Sequence, residues 1–190
     1  VANPPYSANV QHPELMPDDE RFNTYGKYVP KSKADLAFVQ HMVHHMDDDG
    51  RIAVLLPHGV LFRGAAEETI RQYLIEKLNV IDAIIGLPAN LFFGTSIPVC
   101  VIVCKKNRNG NSGNILFIDA SKEFQSGKNQ NILTDEGIQK ILKAYQDRTD
   151  KEKFAHVADM SEIIENGYNL NIPRYVDTFE EEEPIDINAV

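Results

Sequence analysis

The chain has 190 residues, 43% hydrophobic and 25% charged, with a formal net charge of −9; this fits one globular domain with a real core and excludes a disordered chain. Its longest apolar runs, 52–56 and 99–103, are strand-sized and far short of a bilayer span, so no membrane role is expected. The negative balance also excludes a self-sufficient duplex binder: if nucleic acid is the substrate, another chain supplies most of the phosphate grip.

In chain order, Val1-Ala2 reads as the end of a buried strand. The absence of an initiator Met and this mid-strand opening imply a fragment of something longer. Next comes Asn3-Pro4-Pro5-Tyr6. Proline pairs often only punctuate a turn, but this one also meets the needs of amine methylation. The lone pair of an exocyclic base amine is delocalised into the ring, and acceptors aimed at its N–H groups pull it back onto nitrogen and stabilise the charge that develops. Asn3 offers a side-chain carbonyl and Pro4 a backbone carbonyl, held by two fixed φ angles. A base inside a duplex must be flipped out to be reached, and Tyr6 is placed to stack on it.

Residues 7–33 read as a long polar loop, with Lys31 and Lys33 as candidate contacts to phosphates or flanking bases. Ser32 and Asp35 have capping-box spacing, and the helix that follows buries Leu36, Val39, Met42, Val43 and Met46. His41 and His45 face the other way; without a third ligand at a fixed spacing they are read as a solvated face and no metal is expected. Strands follow at 52–56 and 80–85, with a helix at 65–78 between them, the pattern of a parallel sheet covered on both faces. The short connection 86–97 implies that strand 99–103 pairs antiparallel with 80–85. A strand at 115–119 and helices from Thr134 and Asp159 complete the pattern. Cys100 and Cys104, about 13 Å apart on one strand, cannot bridge, and reduced thiols suit a cytoplasmic protein.

Four stretches together give a resemblance: Pro30-Lys31-Ser32-Lys33-Ala34-Asp35-Leu36-Ala37-Phe38, Leu56-Pro57-His58-Gly59-Val60-Leu61-Phe62-Arg63-Gly64, Gly86-Leu87-Pro88-Ala89-Asn90-Leu91-Phe92-Phe93-Gly94-Thr95 and Asn171-Ile172-Pro173-Arg174-Tyr175. With the Asn-Pro-Pro-Tyr loop they resemble the modification subunit of type I restriction-modification systems, an N6-adenine DNA methyltransferase. The resemblance implies an α/β fold: the second half of a Rossmann-like S-adenosylmethionine-dependent methyltransferase, a parallel sheet ending in an antiparallel hairpin, with a small C-terminal helical extension. Residues 1–122 would be the catalytic half, 123–176 the helical extension and 177–190 an acidic tail. It further implies that Asn3, Pro4, Pro5 and Tyr6 are catalytic, that Phe92 or Phe93 faces Tyr6 across adenine, and that DNA, a specificity subunit and a restriction subunit are partners. S-adenosyl-L-methionine would be the cofactor, with Asn3 at the edge of its site and the main anchors upstream of this chain. Taken alone, the chain is therefore expected not to methylate. Two rival readings are a glutamine or RNA amine methyltransferase using the same acceptors, and a non-catalytic scaffold in a DNA-processing complex.

Overall fold

The computed structural model describes residues 1–178. A five-stranded sheet forms its centre: β1 (Arg51–Pro57), β2 (Ile81–Gly86), β3 (Val99–Lys105), β4 (Asn114–Asp119) and β7 (Ala155–Asp159), in the spatial order β1-β3-β2-β4-β7. A separate hairpin joins β5 (Phe124–Ser126) to β6 (Asn131–Leu133). The helices are α1 (Glu20–Asn23), α2 (Asp35–His44), α3 (Ala66–Gln72), α4 (Asp135–Asp147) and α5 (Met160–Glu165).

The expected parallel sheet is corrected to a mixed one. β2 pairs antiparallel with β3 as the short connection required, but β3 also pairs antiparallel with β1, so it lies between two strands that were expected to be neighbours. Only β2 and β4 pair in parallel among the five. Strands β1, β2 and β4 share one direction, which brings their carboxyl ends to one edge. Ala2 joins that set: it bridges in parallel to Val54, donating from its N–H to the Ala53 carbonyl at 3.0 Å and accepting from the Leu55 N–H at 3.0 Å. Ala2 is half-buried and Val1 is exposed.

One sheet face is covered by α2, α3 and the turn that continues α3, which bury Leu36, Val39, Val43, Ile70, Leu74 and Ile75 against Ile52, Val54 and Leu56. The other face packs Ala83, Ile85, Leu116 and Ile118 against Ile141 and Ala144 of α4. Helix α3 continues into a π-helical turn over Tyr73–Lys77. The 7–33 stretch is not purely loop, because it holds a 3-10 turn over Pro13–Asp18 and α1. Likewise 123–176 is not purely helical: it carries β5, β6 and β7, and β7 completes the main sheet beside β4. The acidic tail lies, from residue 179 onward, outside the described residues. In the 171–175 stretch, Tyr175 stacks on Phe117, ring centroids 3.8 Å apart, and Ile172 packs on Gly86, where a Cβ would meet its Cδ1 at 2.7 Å.

A buried carboxylate locks the far end of the sheet. Asp82 has no exposed side-chain surface and faces Lys105 Nζ at 3.0 Å, Arg108 Nε at 3.1 Å and Arg148 Nη1 at 3.3 Å. It also accepts from the Tyr145 hydroxyl at 2.7 Å, which ties α4 to β2.

Candidate active site

The Asn-Pro-Pro-Tyr loop leaves the sheet at the carboxyl edge, just beyond Ala2. Prolines at 4 and 5 have no N–H to offer a ladder, so the strand stops here. Within the loop, the Tyr6 hydroxyl donates to Asn3 Oδ1 at 2.9 Å. Burial, then the neighbouring Cys100 thiol, pushes the Tyr6 phenol above its ordinary value, so it remains a donor across the physiological range. Both Cys100 and Cys104 are free and buried, and burial lifts their thiols to about 12.

Beside Asn3 lies a cavity of about 510 Å³, lined by Asn3, Gln130 and Asn131 and by apolar side chains including Leu55, Leu87, Leu91 and Phe92. No charged side chain faces it. The two candidate aromatics separate here. Phe92 lines the cavity and packs on the same apolar cluster that Tyr6 touches, whereas Phe93 is 85% exposed. The cause is a tight reversal: Phe92 bridges to Thr95, and Gly94 at φ +79° supplies the left-handed residue that the reversal needs. This leaves Phe93 at the tip.

The β5–β6 hairpin braces that loop. Asn131 donates from its N–H to the Asn90 carbonyl at 2.8 Å and from Nδ2 to the Ala89 carbonyl at 2.9 Å. Gln130 Nε2 adds a bond to the Leu91 carbonyl at 3.1 Å. Sequence reasoning missed both residues, since a short polar hairpin shows no periodicity that points to a distant loop.

The candidate lysines also differ. Lys31 is exposed, with its carbonyl accepting from the Val10 N–H at 2.7 Å. Lys33 is half-buried and donates from Nζ to Ser7 Oγ at 2.9 Å. The capping-box expectation fails: α2 begins at Asp35 with Ala34 as its cap, and no side chain caps it. The Asp35 carboxylate turns away from its helix, accepting from the Ser7 N–H at 2.7 Å and facing Arg63 Nη1 at 3.2 Å. The rings of His41 and His45 meet at a tilt of 47° with centroids 4.5 Å apart, and His41 Nδ1 lies 2.9 Å from Arg21 Nη1. Among the described residues no group of three metal-ligating side chains converges, and no helix is long and apolar enough to cross a membrane.

Comparison with known proteins gives consistent results. The family model for N-6 DNA Methylase matches residues 1–184. The methylase subunit of the type I restriction enzyme MpnII of Mycoplasma pneumoniae is 39% identical over the whole of this chain, which spans 35% of that protein. The methylase subunit of MjaVII from Methanocaldococcus jannaschii is also 39% identical, over 98% of this chain and 34% of its own length. The crystal structure of a type I restriction-modification methyltransferase subunit from Streptococcus thermophilus superposes with a TM-score of 0.87 at 59% identity, covering 92% of this chain and 37% of that one. This chain thus spans about a third of the length of the relatives it matches.

Proposed function

The chain belongs to the N-6 DNA methylase family, and from that premise we propose that it forms the target-base half of the modification subunit of a type I restriction-modification system. The reaction is methyl transfer to the N6 amine of an adenine flipped out of the duplex, on one half of a Rossmann-like methyltransferase fold. Residues 1–122 are its catalytic half and 123–176 brace it. The observation that carries the reading is that Asn3 and Phe92 open onto one uncharged cavity at the carboxyl edge of the sheet, the edge at which open α/β sheets place their ligands.

In this reading Asn3 Oδ1 and the Pro4 carbonyl accept from the N6 hydrogens. They draw the lone pair out of the ring and stabilise positive charge on nitrogen as the new bond forms. Tyr6, which packs on the same apolar cluster as Phe92 without lining the cavity, is assigned the other face of the base, and the cavity's uncharged, largely apolar lining suits a neutral heterocycle. The Tyr6 hydroxyl that now fills Asn3 Oδ1 yields to the incoming amine. S-adenosyl-L-methionine, when bound, supplies an electrophilic methyl group. Neutral oxygen acceptors beside a cavity that no charged side chain lines fit that chemistry; Asn3 borders its site, and we assign the remaining anchors to parts of the relatives that this chain does not span. The chain's acidity supports a division of labour in which a specificity subunit carries most DNA contacts; the type I relatives are the ground for a restriction subunit as a further partner, and the two free thiols for a cytoplasmic assembly.

Substitution at Asn3 in the intact subunit tests the reading. Asn3→Ala is expected to slow turnover by about 10²- to 10³-fold with DNA affinity nearly unchanged, and Asn3→Asp to retain part of the activity through its acceptor oxygen. Equal rates for the wild type and Asn3→Ala would overturn it.

A further inference from the structure

We propose that Asp35 is a positioning residue for the 3–6 loop, held in place by Arg63 and assisted by Lys33; the inference rests on the reading of that loop given above. The chain leaves Tyr6 through Ser7, which sits at φ +50° although it is not glycine. Such a conformation persists only where the surroundings fix it. Here the fixing group is unusual. The Ser7 N–H donates at 2.7 Å to Asp35 Oδ1, a carboxylate with 0% exposure. Its second oxygen faces Arg63 Nη1 at 3.2 Å, and the same guanidinium nitrogen reaches Glu67 Oε1 at 2.9 Å. A second strut, Lys33 Nζ to Ser7 Oγ at 2.9 Å, grips the same residue. Two backbone bonds complete the clamp: Ala34 N–H to the Ala8 carbonyl at 3.0 Å and Val10 N–H to the Lys31 carbonyl at 2.7 Å.

Helix capping does not explain this carboxylate, because its partners Ser7 and Arg63 both lie outside α2. Satisfying one amide does not require a charge either, since a neutral acceptor does so without the cost of burying an ion. What the charge adds is a fixed direction, since Arg63 pins the carboxylate from behind while its front oxygen pins Ser7. The loop's exit angle then sets where the Tyr6 ring and Asn3 Oδ1 point, and a misplacement of about 1 Å at a reacting centre costs about 10²-fold in rate.

The test uses the intact subunit in single turnover with adenine-containing duplex DNA. Asp35→Asn keeps an acceptor but removes the charge that Arg63 answers. The expected result is a methyl-transfer rate about 10- to 100-fold lower, DNA and S-adenosylmethionine affinities within about twofold of wild type, and faster hydrogen exchange at the Ser7 amide. Arg63→Gln should give the same pattern, and the double variant should lose little more than either alone. A wild-type rate in folded Asp35→Asn, or an equal loss of rate and of both affinities, overturns the proposal. Should Asp35→Asn fail to fold, Arg63→Lys decides instead, since it leaves a cation beside Asp35 and Glu67 but loses the planar fork that fixes their direction: a rate about 2- to 10-fold lower at unchanged affinities supports the clamp, and a wild-type rate overturns it. Asn3→Ala, run alongside, separates the two levels. If it is inactive while the clamp variants are normal, only this inference falls; if it is fully active, the reading of the loop falls and the clamp with it.

Discussion

Replacing Asp82 by Asn should unfold this domain far more easily without touching its chemistry. The carboxylate faces three cations, from Lys105, Arg108 and Arg148, at 3.0, 3.1 and 3.3 Å. Their side chains are 13%, 4% and 12% exposed. When the negative charge is removed, Lys105 and Arg148 can turn part of their charge to water. Arg108 cannot: its N–H groups stay bonded to Asn79, Asn111 and Asn114 carbonyls, but no carboxylate answers its charge. The loss is therefore that of one broken buried ion pair, about 3–5 kcal/mol, out of a total domain stability of about 5–15 kcal/mol. Tyr145 keeps an acceptor in the Asn variant, so the loss is electrostatic rather than a cavity effect. Urea unfolding followed by circular dichroism measures it, with the slope unchanged and the midpoint lowered. Burial pushes Asp82 up, but the Tyr145 and Lys105 hydrogen bonds and the charges of Arg148 and Lys105 outweigh it, leaving the group below its ordinary value. A depressed carboxylate contributes stability that is complete above the ordinary carboxylate range and lost as pH falls through the depressed value. The wild type should show this acid limb and Asp82→Asn should lack it. A loss below about 1 kcal/mol, the level of an exposed pair, would refute the reasoning.

Two predictions concern the aromatic walls. Tyr6→Ala should forfeit about 1–3 kcal/mol of stacking on a flipped base, read as weaker 2-aminopurine fluorescence at the target position. Tyr6→Phe keeps the ring and frees Asn3 Oδ1, so it should stay active; loss of activity there would mean that the hydroxyl does more than fill the acceptor. Phe92→Ala should weaken base retention by a similar margin, whereas Phe93→Ala, altering a side chain outside the cavity, should leave that signal unchanged. The opposite order would exchange their roles.

Local patterns carried most of the elements into view. The apolar spacing of Leu36, Val39 and Val43 marked the buried side of α2, and Thr134 and Asp159 cap α4 and α5 by accepting from the Gly137 and Glu162 N–H groups. Strand order was a different matter. A short connection says that β2 and β3 run antiparallel, but not that β3 inserts beside β1, because both β1 and β2 are mostly apolar and neither sequence marks which one β3 pairs with on its other edge. The three-residue strands β5 and β6 and the polar-flanked β7 fell below what periodicity resolves. The Asn-Pro-Pro-Tyr loop could be proposed as a site from sequence because the chemistry suggested for it is contiguous, four residues whose proposed roles depend on their adjacency.

The frame around that loop was not legible, and the reason is physical. Asp35 three residues after Ser32 matches a helix start by every local rule, since an acid in the first turn is favoured there whether or not anything else binds it. Only the fold reveals that Ser7, 28 residues earlier, and Arg63, 28 residues later, converge on the same carboxylate. Lys33 poses the same problem in milder form. In a polar loop a lysine reads as a free cation available to phosphate, yet its ammonium reaches back to Ser7 Oγ. One hydrogen bond to a neutral hydroxyl is a weak hold, about 0.5–1.5 kcal/mol net, so Lys33 alone does not fix the turn. Asp35, buried and answered by Arg63, does. Residues proposed to position others are chosen by partners distant in sequence, whereas groups proposed to act through their own atoms in one contiguous stretch are the ones that sequence can put forward.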